Sequence, residues 1–192
     1  MAKDKKKKFA SQQRVLVDNA NISSDLKFRI EEAYKSIRAN IMFSVVKKGC
    51  KIIVVSSSLP NEGKTTTTVN LAASISQADQ RVLLIDGDLR KPKIHQYFSV
   101  SSAPGLTDYL SDVASARHKM DIFGIIHPTK YENLSVITSG TIPPNPAELL
   151  GSDFMRDFLN GISKDFDYII IDTPPLNVVS DVMTERFSYF VG

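Results

Sequence analysis

The sequence predicts an α/β fold in which a parallel sheet carries helices on both faces and a phosphate-binding loop. Three observations predict it. Short continuous apolar runs at residues 52–55, 82–85 and 168–171 read as strands buried on both faces, and the last two end directly in an acid. Segments of helical period separate the runs, so each strand-to-strand connection is a crossover and the sheet is parallel. Directly after the first run stands Ser58-Leu59-Pro60-Asn61-Glu62-Gly63-Lys64-Thr65, the pattern G-x-x-x-x-G-K-[ST] with Ser58 in the first glycine's place. Ligands of such sheets bind beyond the carboxyl ends of the strands, where all three runs point.

The elements follow in chain order. Residues 1–24 have mixed polarity and no sustained period, and read as a flexible lead-in with five lysines between positions 3 and 8. Such a run is a solvated tail, or a weak contact for anionic lipid. The net charge of +3 on 192 residues is too mild to point to nucleic acid. A single cysteine, Cys50, excludes a disulfide framework and a cysteine-based metal site within one chain. No apolar run approaches the ~18–20 residues of a membrane span. From Asp25 onward, the domain at 25–192 begins with a helix whose apolar stripe is Leu26, Ile30, Ala33, Ile37 and Ile41, capped by Ser24 or Asp25. Its polar face carries Glu32, Lys35 and Arg38, which by themselves read as a solvated row of ion pairs.

Residues 65–76 form the helix after the first strand, with Val69, Leu71, Ala72, Ala73 and Ile75 inward. A short helix is expected at 105–110, and helix plus loop at 112–133, where Pro128 interrupts any long element. Residues 134–138 read as a further strand. Three prolines at 143–146 stop the chain, and a helix resumes from Ala147 to about residue 162 with Leu149, Leu150, Phe154 and Phe158 inward.

The chemistry lies at the strand ends. In a phosphate loop the backbone N–H groups curl around phosphate oxygens, and the following helix aims its positive end at the same anion. The binding residues are then Ser58, Pro60, Asn61, Glu62, Gly63, Lys64, Thr65 and Thr66. Gly63 allows close backbone approach, Lys64 brings charge to the β- and γ-phosphates, and the Thr65 hydroxyl ligates Mg²⁺. Asp86 and Asp88 follow the second strand, and Asp172 ends the last. Magnesium keeps several waters, so one carboxylate with Thr65 and the phosphates suffices to hold it. Of the Asp86/Asp88 pair, one can lie near the metal while the other accepts a proton from an incoming hydroxyl or water. Each acidic motif alone reads equally well as a carboxylate capping the next helix.

These motifs, in this order, resemble the bacterial tyrosine kinases of capsule and exopolysaccharide synthesis, the cytoplasmic type of Gram-positive bacteria. The resemblance spans about residues 28–181. It rests on the phosphate loop, on residues 86–90 continuing as Lys91-Pro92-Lys93-Ile94-His95, on Gly105-Leu106-Thr107-Asp108-Tyr109-Leu110, on residues 144–150 and on Asp172-Thr173-Pro174-Pro175. It implies a P-loop NTPase-like kinase that uses ATP and Mg²⁺ to phosphorylate tyrosines near its own C-terminus, between neighbours in a ring. Under it Lys64 binds phosphate and stabilises the transition state, and Asp86 is the candidate base. Thr65, Asp88 and Asp172 hold the metal directly or through water. Glu32, Lys35 and Arg38 match the family's E-x-x-R-x-x-R subunit-contact helix, with lysine for the first arginine. The implied partners are a transmembrane adaptor of the polysaccharide co-polymerase type, a cognate tyrosine phosphatase and further copies of the chain. The implied place is the cytoplasmic face of the membrane. His95 matches a family position and otherwise reads as a packed or surface histidine.

The chain departs from this pattern after Asp172, where 20 residues remain and Tyr189 is the one tyrosine among them. The family's tyrosine cluster and a further strand and helix are expected there, so the fold reads as truncated at its C-terminal end and as less stable than a complete relative. Two other readings stay open. One is a partition or septum-positioning P-loop ATPase, which usually carries a lysine near the start of the loop where this chain has Ser56-Ser57-Ser58. The other is a non-catalytic module that occupies the adaptor or joins a kinase ring.

Overall fold

Apolar runs of β-branched and leucine residues, too short for helices, pair side by side as the pattern requires. A computed structural model of the chain describes residues 23–44, 49–117 and 119–175. Its sheet comprises β1 (Lys51–Val55), β2 (Val82–Asp86), β3 (Ile126–Pro128), β4 (Leu134–Ile137) and β5 (Tyr168–Asp172), in the order β1-β5-β2-β4-β3. The first four in that order run parallel, and β3 pairs antiparallel with β4. Val55 and Asp86 both stand opposite Asp172, so the carboxyl ends of three strands finish level.

Side-chain alternation divides the core into two layers. On one face Leu83, Ile85, Ile169 and Ile171 pack with residues of α4 (Leu106–Ala114) and α6 (Asp153–Ile162). On the other, Val82, Leu84, Tyr168 and Ile170 pack against α2 (Lys64–Ser76). Every residue of β2 and β5 is buried, as a central strand covered by helices on both sides must be. Residues 68–76 of α2 are buried all round, because α1 (Ser24–Ser44) lies over its outer side.

Several expected elements differ in detail. Residues 112–133 contain β3, which three residues and a proline hide from any periodicity; proline is tolerated there because β3 is an edge strand. The helix expected at 147–162 is two, α5 (Pro146–Leu150) and α6. Ser152 caps the second, its Oγ accepting from Met155 N at 3.3 Å. The break resets the helical phase. Phe154, expected inward, is 41% exposed, while Met155, Phe158, Leu159 and Ile162 are buried.

Helix α1 is also rotated from its expected phase. Its cap is Ser23, whose Oγ accepts from Leu26 N, rather than Ser24 or Asp25. Leu26 and Ile37 face outward, while Tyr34, Ile41 and Met42 pack on the α2 layer. Arg38, assigned to the polar face, turns inward and donates from Nη1 to the Ser74 carbonyl at 2.6 Å. Glu32 and Lys35 remain at the surface as an ion pair of 2.8 Å. The basic lead-in, Tyr189 and the expected C-terminal irregularity lie outside the described residues.

The amino ends of the three level strands are tied by one acid. Asp167 accepts from Arg81 N at 2.9 Å and pairs with the Arg81 guanidinium at 2.9 Å. Its backbone N–H donates to Arg81 O, and its carbonyl accepts from Lys51 N. The side-chain hydrogen bond from Arg81 holds the Asp167 carboxyl below the usual carboxylate range. A depressed folded-state value stabilises the fold above the unfolded-state value of ~3.9 and ceases to do so as pH falls through the folded one. Asp167→Asn is therefore expected to lower the melting temperature at pH 7. The gap to the parent narrows in melts taken at successively lower pH below ~4. Phe158→Ala is expected to cost about 3–5 kcal/mol in chemical denaturation. Phe154→Ala costs less than half as much, and equal costs would contradict the phase reset.

Candidate active site

The loop between β1 and α2 is shaped by two residues at positive φ, Asn61 at 66° and Gly63 at 81°. Gly63 occupies the N-cap of α2, where glycine adopts the left-handed conformation without strain, and no side chain caps the helix. The first-turn N–H groups of a 13-residue helix are thus left for an external anion. Glu62 closes the loop by accepting from Leu59 N at 3.0 Å.

The far wall begins where β2 and β5 end level. Gly87 N donates to Asp172 O at 2.8 Å, and a Cβ on Gly87 would meet that same oxygen at 2.8 Å. Glycine is required for this approach, which brings the Asp88 and Asp172 carboxylates over the phosphate loop. Lys64 Nζ donates to Asp172 Oδ1 at 2.9 Å and lies 3.5 Å from Asp88 Oδ2. Asp172 further accepts from the Thr65 hydroxyl at 2.7 Å and the Thr68 hydroxyl at 3.2 Å. Burial raises the Asp172 carboxyl, and the charge and hydrogen bonds of Lys64 and Thr65 work against that rise.

Lys64, Thr65 and Asp88 border a cavity of ≈ 410 Å³, with Asp172 buried behind them. Pro60, Asn61, Gly63, Lys64, Thr65 and Thr66 line it as expected, with Ser57 in place of Ser58, and Glu62 is spent on the loop itself. Asp88 lines it; Asp86 does not. Asp86 is wholly buried, and its Oδ2 accepts from Lys93 N at 3.0 Å and Ile94 N at 2.9 Å. Burial, with smaller contributions from Asp172 and Asp88, pushes its carboxyl up to about 7. Asp86 thus clasps the loop that follows β2, and Asp88 is the acid of the pair that stands at the cavity wall. His95 sits on α3 (Ile94–Phe98), half-buried and absent from the cavity wall.

Sequence reasoning missed several cavity groups. Arg90, Lys91 and Lys93 line it, as does Tyr97, whose hydroxyl bonds Thr66 Oγ1 at 2.7 Å. Tyr34 of α1 packs on the α2 layer beside Thr67. The run of four threonines is thus used residue by residue: Thr65 and Thr68 toward Asp172, Thr66 toward α3, Thr67 toward α1. The donor set fits a phosphate and a hard cation. Among the described residues no group of three or more His, Cys, Asp or Glu could enclose a metal ion alone. A hydroxyl and two carboxylates do suit a cation that completes its shell with water and with oxygens of a phosphate held at the uncapped helix end.

Known proteins resemble this chain in sequence and fold. A family profile described as AAA domain matches residues 50–184. The tyrosine-protein kinase CpsD of Streptococcus pneumoniae is 42% identical over 161 residues, covering 82% of this chain and 67% of that protein. The chain belongs to the bacterial tyrosine-protein kinase family. YwqD, the tyrosine-protein kinase of Bacillus subtilis, is 41% identical over 150 residues, 78% of this chain and 61% of YwqD. This kinase-family chain therefore spans roughly three fifths to two thirds of those relatives. The crystal structure of the chimerical protein CapA2B2 superposes with a TM-score of 0.75 at 35% identity, covering 92% of this chain and 72% of that one. The septum site-determining protein MinD of Pyrococcus horikoshii, at 22% identity and a TM-score of 0.56, shares the P-loop fold.

Gly87→Ala tests the construction of the site. The added methyl forces β2 and β5 apart at their carboxyl ends, at a cost of about 1–3 kcal/mol in denaturation. Hydrogen exchange is expected to quicken at residues 86–88 and 172–173 while β4 keeps its protection.

Proposed function

We propose that the chain transfers the γ-phosphate of ATP to protein tyrosine, in the service of capsule or exopolysaccharide synthesis. The observation that carries the reading is the meeting of Lys64, Thr65 and Asp88 at one cavity, with the buried Asp172 bonded to Lys64 and Thr65 behind its wall, in a chain of the tyrosine-kinase family. Phosphoryl transfer asks little covalent chemistry of a protein and depends on positioning and charge. The amides of residues 61–66 cradle the phosphates, and Lys64 exchanges its contacts with the two acids for phosphate oxygens. Thr65, Asp172 and Asp88 would hold Mg²⁺, directly or through water, and the cation would supply charge to offset that developing on the phosphates. Asp88, at the cavity wall, accepts the proton of the tyrosine hydroxyl. Asp86 holds the loop that carries Asp88, and Tyr97 fixes Thr66.

The same reading supplies the surroundings. The chain acts beside a transmembrane adaptor of the co-polymerase type at the cytoplasmic face of the membrane, opposed by a cognate phosphatase. Among the described residues no helix is long and apolar enough to cross a membrane. Glu32 and Lys35, paired to each other and half exposed, are the contacts offered to a ring neighbour. Arg38 serves the α1–α2 junction instead.

Incubation with MgATP, the adaptor's cytoplasmic segment and a tyrosine-rich acceptor tail is expected to give phosphotyrosine by intact mass. Lys64→Met lowers the rate by on the order of 10²–10³, as loss of a preorganised charge donor does. Asp88→Asn also suppresses transfer, and Asp86→Asn less so. Release of free phosphate without phosphotyrosine in any of these mixtures would replace the kinase with the partition-type ATPase.

A further inference from the structure

Residues 89–94 hold three cations between two buried anchors. Leu89 and Ile94 are 1% and 0% exposed, pinned in the two core layers. Lys91 N donates to Asp88 Oδ1 at 3.1 Å, and Lys93 N and Ile94 N donate to Asp86 Oδ2. Both acids of the D-G-D sequence thus hold the backbone that follows them. The side chains of Arg90, Lys91 and Lys93 project from that fixed backbone, and all three line the cavity. None of the three makes a side-chain hydrogen bond or ion pair among the described residues. Three adjacent, unpaired cations repel one another and focus a positive potential into the cleft. Among the described residues the carboxylate that shares the cavity wall with them is Asp88, already engaged by Lys64.

Their side of the cavity matters. Asp88 stands between the two basic regions: Oδ2 faces Lys64 of the phosphate loop, and Oδ1 faces the backbone of the 90–93 segment. The phosphates of a nucleotide are served by the loop amides and Lys64 on one side of that carboxylate. The cations lie on the other, where a hydroxyl presented to Asp88 would bring its own chain.

We propose that Arg90, Lys91 and Lys93 form an acceptor subsite for an anionic side chain next to the tyrosine being phosphorylated. The anion is a carboxylate or a phosphotyrosine made in an earlier round. Arg90 offers a planar fork that bonds either one through two oxygens, and the lysines add point charges. The proposal rests on the kinase reading above and gives its acceptor class: acidic or already phosphorylated tyrosine segments.

The test uses the full 192-residue chain. Fluorescent peptides with a central tyrosine flanked by glutamate, phosphotyrosine, glutamine or lysine are titrated by anisotropy with MgATP present, and transfer is followed by mass. The parent chain is expected to bind the glutamate and phosphotyrosine peptides at least about tenfold more tightly than the lysine peptide. A clear excess of the phosphotyrosine peptide over the glutamate one identifies an already phosphorylated segment as the ligand, and parity identifies a carboxylate. Arg90→Gln/Lys91→Gln/Lys93→Gln abolishes the preference, and the triple change to glutamate reverses it. The exposed single change Lys91→Gln, which tests the subsite with little risk to folding, weakens it. Peptide affinity that ignores flanking charge in the parent chain overturns the proposal. So does a triple variant that loses ATP affinity yet keeps the peptide preference, because the cations would then belong to the nucleotide. Charge-dependent peptide binding without phosphate transfer to any peptide sinks the kinase reading and leaves an anionic-peptide subsite standing.

Discussion

The architecture depends on what surrounds one buried carboxylate. Asp172, 1% exposed, ends a fully buried strand and collects Lys64 Nζ and the hydroxyls of Thr65 and Thr68. A carboxylate taken out of water is costly unless it is paired and hydrogen-bonded, and here one ammonium and two hydroxyls meet that cost. Each partner comes from the first turn or two of α2, so satisfying the acid also fixes how the phosphate-loop helix sits on the sheet. The same contacts place Lys64 between two acids, from which an incoming phosphate can draw it.

The level ending of β1, β5 and β2 turns a sheet into a site. Parallel pairing with Val55, Asp86 and Asp172 in register puts the phosphate loop and two acidic turns at one height. Gly87 lets the turns touch. Beneath them the Asp167–Arg81 clamp sets the opposite ends of the strands, so the register is tied at both margins. Asp86 then has a role distinct from that of its neighbour two residues on: buried and clasping two backbone amides, it gives shape to the wall that Asp88 lines.

Most of this was legible in the sequence, for identifiable reasons. Strands buried on both faces have to be continuous apolar runs, and the phosphate loop has a spacing that its geometry enforces. The acids at 86, 88 and 172 were visible because an ionisable residue directly after an apolar strand is rare without a purpose. What stayed hidden was rotational phase and direction. A two-residue break at Gly151 and Ser152 sent Phe154 outward, and α1 turned Arg38 toward Ser74, since a helical stripe of mixed polarity specifies its inward face weakly. Which of Asp86 and Asp88 faces the cavity follows from the turn after β2, a matter of tertiary packing that spacing alone does not carry. Arg90, Lys91 and Lys93 were visible as part of a motif, but their place on a shared wall comes from the fold.

The connectivity has a consequence for how the protein is made. Thr173 Oγ1 bonds the Val55 carbonyl across 118 residues of chain, and Thr65 reaches Asp172 across 107. Non-local pairings of this kind are late events in folding, because the entropy of closing so long a loop must be overcome before any contact rewards it. A nascent chain that has left the ribosome with its phosphate loop, but without β5, has a strand with no central neighbour and a lysine with no Asp172 to meet. Competence for nucleotide is therefore acquired in a single late step, when β5 slots between β1 and β2. Ligand binding would then report completion of the fold, with little partial signal before it.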